Sequence, residues 1–286
     1  MVDYPKVRNG LEAVPFEHQG KRLILLRDLM GYAGDSLLIP PPLAALLTQM
    51  NGENSLRDLQ AYYMRATGNL LFMEDLQEFV HKLDENLFLE SERFEQLVAQ
   101  RINDFLQNSV RSMQHCGTSY PSDPQTLRSQ FDELFSKVSG TPKEHRSPGC
   151  RLVGLMAPHI DVNAGGVCFA HAYQVVLNSD PPSTWVILGT GHEPIENYFA
   201  LTLKDFETPL GFMPHDQEYC HELRQRSSRD LLAGQYIHRK EHTIEFQAVF
   251  LSYTQPSCHI VPLLCSFSIQ SRMTCSPPGT MGTQKP

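Results

Sequence analysis

The stretch Trp185–His192 reads WVILGTGH, and it indicates the fold class more clearly than any other part of the chain. Trp185–Leu188 is an apolar run of strand length, as expected for a strand that is buried on both faces of a sheet. Gly189 and Gly191 then form a turn that lets a ligand approach the backbone closely, and His192 follows directly. Open α/β sheets build their sites beyond the carboxyl ends of strands, so this stretch predicts an α/β fold with a site at His192.

Two other segments carry a histidine in a comparable place. Leu152–Ala157 is a second apolar run, predicted to be a strand buried on both faces, and His159 follows it. A helix from Gly165-Gly166 lies between the two predicted strands, and this order favours a largely parallel sheet with a right-handed crossover. His242 opens a helical run, and Glu245 shares its helical face. The three histidines therefore predict a functional site before they specify a reaction, although a single histidine after a strand is more often a polar cap on the sheet.

Composition narrows the classes of partner. The 286 residues carry a formal net charge of -8 with 41% hydrophobic and 20% charged content, which is typical of a globular protein that binds neither nucleic acid nor an anionic membrane. No run approaches the roughly 20 apolar residues that cross a bilayer, and Met1–Gly20 does not resemble a secretory signal. The seven cysteines are irregularly spaced and odd in number, which suits reduced thiols. We therefore expect a cytoplasmic protein without a membrane segment.

The amino-terminal part, residues 1–90, is predicted to be a small α+β domain. Arg22–Arg27 is an apolar strand, and a helix follows the proline run before it ends at Asn51-Gly52. Ser55 is a suitable N-cap for a second helix, and a third, Glu74–Asn86, places its apolar residues on one face. Three helices with small strands indicate a winged-helix-like domain.

The remainder is predicted to contain three further parts. Residues 91–110 have the apolar spacing of a connecting helix, and residues 111–266 form the α/β domain introduced above. Residues 141–149 form a polar loop within that domain. Residues 267–286 are rich in Ser, Thr, Pro and Gly without apolar periodicity, which is typical of a disordered or aberrant tail.

The amino-terminal domain resembles the PqqD-type peptide-binding domains. The resemblance lies in the apolar spacing of Leu43–Gly52, Ser55–Leu59 and Leu83–Leu89. It implies a peptide as the partner of this domain. A helical appendage that only packs on the main domain is an equal alternative. A DNA-binding winged helix is disfavoured because Glu74–Asn86, the recognition region of such a domain, is acidic.

Residues 111–266 resemble the Memo family, and within it AmmeMemoRadiSam system protein B, in which a PqqD-like domain can precede the Memo domain. Six motifs in the family's order carry the resemblance: His115–Pro121, Ala157–His159, Val186–His192, Lys204–Gly211, Glu241–Gln247 and Ile260–Leu264. The resemblance implies an α/β fold similar to class III extradiol dioxygenases, with a sheet, flanking helices and a non-haem metal ion. Iron is the first expectation for this metal, and copper or zinc are alternatives. The implied partners are a radical SAM protein and an AMMECR1-like protein.

The resemblance also implies roles for individual residues. His159 and His192 match the metal-ligand histidines of the family, while His242 with Glu245 matches its pocket segment and suits acid–base catalysis. His115 lies in a family motif without an assignable role. The family's third ligand comes from a Ser-Asp-Phe-Cys/Ser-His segment that is absent here. We therefore expect a truncated Memo domain that is inactive as this chain, because catalytic metal sites generally use three protein ligands.

Two alternatives to a metal-dependent enzyme remain. The first is a non-catalytic protein that binds a peptide or another ligand and works with the radical SAM partner. The second is a zinc peptidase, because His238–His242 fits the inverted zincin pattern H-x-x-E-H, with Glu241 as its general base.

Overall fold

The structure of the protein is a computed structural model. It describes residues 2–29, 31–138, 152–178, 182–195 and 197–267. The predicted loop at 141–149 and residues 268–286 of the predicted tail lie outside the described residues. The chain forms two compact units, Met1–Asp104 and Phe105–Pro286, and each has a hydrophobic core of its own.

The first unit begins with a three-stranded antiparallel sheet. Its strands are β1 (Leu11–His18), β2 (Lys21–Asp28) and β3 (Leu37–Ile39), in the order β1-β2-β3. The turn between β1 and β2 consists of Gln19 and Gly20, with φ of 50° and 74°. Two consecutive residues with positive φ match the right-handed twist of a hairpin. Because the strand order is β1-β2-β3, the strands β1 and β3 form the two edges of this sheet.

Four helices follow the sheet along the chain. They are α1 (Pro41–Leu47), α2 (Leu56–Thr67), α3 (Met73–Glu85) and α4 (Glu92–Gln107), the last of which ends in the second unit. Ser55 caps α2 as predicted, and it forms a capping box in which the Asp58 side chain accepts from the Ser55 backbone. The predicted apolar face of α3 is buried through Leu76, Phe79, Val80 and Leu83.

The second unit is a mixed α/β structure with two small three-stranded sheets in its described part. The strands are β4 (Val110–Arg111), β5 (Thr184–Thr190), β6 (Phe199–Leu201), β7 (Asp205–Thr208), β8 (Gly211–Met213) and β9 (His259–Cys265). One sheet has the order β4-β7-β8 and the other the order β5-β9-β6. Each sheet contains one parallel and one antiparallel pair, so the prediction of a largely parallel sheet is wrong for these residues.

Helix α8 lies at the centre of this unit. The helices are α5 (Pro124–Val138), α6 (Val162–Leu177), α7 (Gln217–Arg226) and α8 (His242–Thr254), with a short 3-10 helix at Gln235–Arg239. The Phe250 ring of α8 stacks on Phe131 of α5 and Phe169 of α6, at centroid distances of 4.3 and 4.7 Å. Such ring pairs add to the apolar burial that stabilises the core.

The segment Leu152–Ala157 is not a buried strand, so that prediction is wrong. The segment has no regular secondary structure, and Val153 and Met156 are each 94% exposed. A strand satisfies its backbone groups only beside a neighbour. In the described part of the chain, β5 is paired with β9 on one edge, and this segment is not hydrogen-bonded along the other. An apolar run without a neighbouring strand therefore has no regular secondary structure here.

The start of α8 lies very close to the end of β5. A Cβ atom added to Gly189 would lie 2.6 Å from Cγ1 of Ile244 and 2.7 Å from Oγ1 of Thr243. The Thr243 hydroxyl also donates a hydrogen bond to the Thr190 carbonyl at 3.0 Å. The glycine therefore allows the first turn of the helix to pack directly on the strand, next to His192 and His242.

Candidate metal centre

Three histidines from separate parts of the second unit lie close together. His192 follows the end of β5, His242 is the first residue of α8, and His159 lies shortly before α6. The His192 and His242 rings are nearly parallel, with centroids 4.9 Å apart. The His159 ring lies 5.7 Å from His192 and 6.2 Å from His242. The structure thus brings together the three histidines that the sequence singled out.

Glu241 is the acidic member of this cluster. It is the N-cap of α8, and its carboxylate accepts hydrogen bonds from the backbone N–H groups of His192, His242 and Thr243. Its Oε1 atom lies 3.0 Å from Nδ1 of His192 and 3.2 Å from Nδ1 of His242. The Glu241 side chain is 7% exposed, against 49% for His192 and 28% for His242. One carboxylate therefore joins the end of β5 to the start of α8.

The protonation of His242 follows from its backbone partner. Its Nε2 atom lies 2.9 Å from the carbonyl oxygen of His159. A carbonyl oxygen only accepts hydrogen bonds, so Nε2 carries the proton and Nδ1 keeps its lone pair. Burial lowers the pKa of His242, which outweighs the opposite effects of the hydrogen bond to His159 and of the Glu241 charge and favours the neutral ring. Burial alone raises the pKa of Glu241, but hydrogen bonds and charge from His192 lower it overall.

The donor atoms of this cluster suit a transition metal. Within the described residues, His192, Glu241 and His242 form a group in which one ligand atom from each lies within 4.8 Å of the others. Two imidazoles with one carboxylate form a donor set used for non-haem iron, and imidazole also binds copper and zinc. His159 is not a member of this group of three. The residues present therefore fit the metal that the sequence led us to expect.

Glu245 lies in a different environment from His242, although the two share the first turn of α8. Its carboxylate is fully buried, forms an ion pair with Arg111 and accepts a hydrogen bond from the Tyr120 hydroxyl. It also accepts from the backbone N–H groups of Gln114 and His115. Burial raises the pKa of Tyr120, so this hydroxyl stays protonated and donates. The contacts of Glu245 thus hold the segment that contains His115.

The Arg111 guanidinium completes this buried network. It donates hydrogen bonds to the backbone carbonyls of His238 at 2.9 Å and Glu241 at 2.8 Å. These carbonyls lie directly before α8, so the guanidinium and Glu245 together fix the beginning of the helix. A solitary arginine after a valine gives no local signal of this role in the sequence.

His115 is a fourth histidine beside the cluster. Its ring makes an edge contact with His242, at a centroid distance of 5.7 Å, and its Nε2 atom donates to the Lys240 carbonyl at 3.0 Å. The sequence placed His115 in a motif without a role. The position of Glu241 directly before a helix was the available signal for its capping function.

The inverted zincin arrangement is not formed, so this prediction is wrong. His238 belongs to the 3-10 helix, which ends at Arg239, whereas His242 begins α8. The two histidines therefore do not occupy successive turns of one α-helix. His238 is buried, and its Nε2 atom donates to the Ala200 carbonyl at 2.8 Å. Burial lowers the pKa of His238 to about 4, which keeps the ring neutral.

The described residues contain no helix that is both long and apolar enough to cross a membrane.

Comparison with known proteins identifies the family of this chain. The family described as "Memo-like protein" matches residues 111–277. This range contains all the residues of the histidine cluster.

Individual relatives extend this similarity. A MEMO1 family protein from Aquifex aeolicus is 30% identical over 243 residues, which cover 85% of this chain and 62% of the relative. One from Methanopyrus kandleri is 36% identical over 151 residues, or 50% of this chain and 51% of the relative. The chain thus spans between about half and three fifths of the length of these relatives. The family match spans more than half of the chain and shows that the chain belongs to the Memo family.

Proposed function

We propose that this protein binds a non-haem metal ion at the histidine cluster, with iron as the first candidate and copper or zinc as alternatives. One observation supports this most directly: His192, Glu241 and His242 bring three ligand atoms within 4.8 Å of one another. The metal would supply Lewis acidity and, as iron or copper, redox chemistry related to that of the extradiol dioxygenases.

His192 belongs both to this group of three donors and to the pair of metal ligands that the family resemblance implies. The family resemblance makes His159 and His192 the ligands, with His242 and Glu245 as the acid–base pair. In that assignment, the Nδ1 atom of His242 accepts and returns a proton, because its Nε2 proton is held by the His159 carbonyl. The contacts of Glu245 support a positioning role, since they hold the segment containing His115 beside His242.

Metal content tests the proposal. The purified chain is loaded anaerobically with Fe(II), and separately with Cu(II) and Zn(II), and then desalted before elemental analysis. We expect about one metal ion per chain and its loss in His192→Ala. The matched control is His215→Ala, because His215 also lies against a carboxylate, with Nδ1 2.8 Å from Oδ1 of Asp205. Unmodified protein that retains no more metal than His192→Ala would contradict the proposal.

We also propose that the protein acts as AmmeMemoRadiSam system protein B, together with a radical SAM protein and an AMMECR1-like protein. The Memo match supports this role, and the alignment with the Aquifex relative is longer than the second unit, so it reaches into the first. Co-expression with both partners followed by affinity purification tests the assembly. Recovery of the tagged protein without either partner would contradict it.

Peptide binding by the first unit is a second candidate function. The supporting observation is the edge position of β3, where Leu38 is 42% exposed between the buried Leu37 and Ile39. An edge strand can accept a peptide as an additional strand. Hydrogen exchange with overlapping peptides from the substrate of the radical SAM partner tests this. We expect slower exchange at residues 37–39, and protection confined to β1 would contradict this assignment.

A further inference from the structure

Unpaired polar groups are concentrated where the 3-10 helix packs against the end of β6. Among the described residues, six buried side-chain polar atoms have no hydrogen-bond partner, and three of them belong to this region. They are Oγ1 of Thr202, the hydroxyl of Tyr236 and Nε of Arg239. Burial of a polar group without a partner is costly, so such groups in a folded protein need a physical explanation. A ligand that bonds to all three is one such explanation.

Thr202 lies on the side of β6 that the 3-10 helix covers. Leu201 and Ala200 belong to different apolar clusters, because successive residues of a strand point to opposite faces. A Cβ atom added to Gly234, directly before the 3-10 helix, would lie 3.2 Å from Cβ of Ala200. Thr202 shares the face of Ala200 and is completely buried. Its unpaired hydroxyl is therefore directed towards the 3-10 helix.

Two aromatic rings and two cationic side chains extend this region. The Phe105 ring makes an edge contact with Tyr236, at a centroid distance of 5.6 Å. Nζ of Lys204 lies 4.5 Å from the centre of the Phe105 ring, and Cζ of Arg239 lies 5.1 Å from the centre of the Tyr236 ring. In the part of the chain that the structure describes, neither cation forms an ion pair with a carboxylate. The region therefore has a local excess of positive charge, although the whole chain carries -8.

We infer that this region is a binding site for a phosphate group. The donors are the hydroxyls of Thr202 and Tyr236 and the guanidinium of Arg239, and Lys204 adds positive charge. A guanidinium and an ammonium only donate hydrogen bonds, and a hydroxyl can rotate to donate. A phosphate group supplies several acceptor oxygens around one centre together with negative charge, which matches donors from separate side chains. The inference goes beyond the proposed metal binding and does not depend on it.

The Arg239 side chain provides the route to the buried donors. Tyr236 and Arg239 are partly exposed, although the Tyr236 hydroxyl and Nε of Arg239 are buried. Among the described residues, the contact with the Tyr236 ring is the interaction of the Arg239 guanidinium. A cation–π contact at a partly exposed position is weak. Rotation of this arginine therefore opens the site without disturbing the core.

Isothermal titration calorimetry with the full chain tests the inference. The protein is first dialysed against EDTA, so that phosphate cannot bind through a metal ion. One titration uses inorganic phosphate and the other uses phenyl phosphate, which distinguishes free phosphate from the phosphate group of an ester. We expect at least one of the two to bind. Arg239→Met and Tyr236→Phe should each weaken this binding about tenfold or more, because each removes a donor to a charged group.

The matched controls are Arg226→Met and Tyr219→Phe, which remove the same groups from exposed positions on α7. We expect both to bind phosphate as the unmodified protein does, and circular dichroism checks that every variant is folded. Unchanged binding in both Arg239→Met and Tyr236→Phe would show that the inference is wrong. Absence of binding at about 10 mM of either compound would also overturn it, since even a millimolar site is mostly occupied there. Equally tight binding of acetate would contradict the assignment to a phosphate group.

Thermal unfolding separates a binding role from a structural role. Thr202→Val replaces the unpaired hydroxyl by a methyl group, so the variant without ligand should be at least as stable as the unmodified protein. Phosphate should raise the Tm of the unmodified protein and raise that of Thr202→Val less, because a ligand stabilises the folded state to which it binds. A less stable variant with an unchanged response to phosphate would mean that the hydroxyl serves the fold. Each of these outcomes leaves the proposed metal binding untouched, since no metal is added.

Discussion

Two carboxylates at the start of α8 lie in regions of opposite character. Glu245 is completely buried against Arg111, a side chain whose cation persists at every accessible pH. Glu241 borders the more exposed histidine cluster, where its partners are the imidazoles of His192 and His242. One helix end thus holds two carboxylates with different roles. The paired carboxylate stabilises the fold, and the carboxylate beside imidazoles is suited to a cation.

The largest expected effect comes from removing the charge of the buried carboxylate. We expect Glu245→Gln to lower the free energy of unfolding by about 3–5 kcal/mol, because it leaves the Arg111 cation buried without its partner. Glu241→Gln should cost much less, since its neighbours are partly exposed and need not be charged. Urea denaturation followed by circular dichroism measures both values.

Two further variants separate the effect of burial from the effect of charge. Glu133→Gln breaks an exposed ion pair with Lys137 and should leave stability almost unchanged. The double variant Arg111→Met with Glu245→Met should recover much of the loss, because no unpaired charge is buried. Equal stability losses for Glu241→Gln and Glu245→Gln would remove the distinction between the two regions.

The next effect is a pH dependence of the buried region. Burial lowers the pKa of His238 to about 4 in the folded protein, from its ordinary value of 6.5. The unfolded chain therefore binds a proton more readily between these values. The contribution of His238 to the free energy of unfolding is therefore fully present above pH 6.5. As the pH falls towards 4, protonation of this residue in the unfolded chain lowers the free energy of unfolding by up to about 3 kcal/mol. Urea denaturation from about pH 7.5 to about pH 4.5 measures this dependence.

His238→Gln isolates the contribution of this histidine. The amide keeps an N–H donor for the Ala200 carbonyl but does not titrate in this range. We expect a flatter dependence of unfolding free energy on pH, whereas the exposed His171→Gln should reproduce the unmodified slope. A His238→Gln slope equal to that of the unmodified protein would show that other groups cause the acid sensitivity.

A smaller effect is expected at the contact between β5 and α8. A methyl group at Gly189 meets Ile244 and Thr243 at distances below van der Waals contact, so Gly189→Ala must displace the first turn of the helix. We expect a loss of about 1–3 kcal/mol in urea denaturation, because overpacking forces such shifts. Gly154→Ala is the matched control, since its Cβ would meet open space. Equal stability of the two variants would mean that the helix adjusts without cost.

Local patterns predicted individual elements well. The apolar face of α3 and the cap at Ser55 were both predicted, and the structure contains both. These features depend on residues three or four positions apart, whose contacts are set by helix geometry. Leu152–Ala157 has an equally clear apolar pattern, but a strand also needs a neighbour. The sequence of the segment itself does not specify that neighbour, and the predicted strand is absent.

The site was predicted in the same uneven way. The meeting of His192 and His242 followed from their places at the ends of elements, and their rings lie 4.9 Å apart. The contributions of Arg111 and Tyr120 were missed, because their partner Glu245 is more than a hundred positions away and no periodicity connects them. Glu241 was recognised within a motif, but its link to the backbone of His192 depends on the tertiary fold.

The ion pair between Arg111 and Glu245 also has a consequence for the order of folding. Its members are 134 positions apart, so a long chain must close before the pair can form. The helices between them depend on local contacts, which form faster than contacts of such long separation. During synthesis, Arg111 leaves the ribosome well before Glu245 is translated. The formation of the beginning of α8 is thus a late step in folding, and the histidine cluster forms only after most of the described domain has been made.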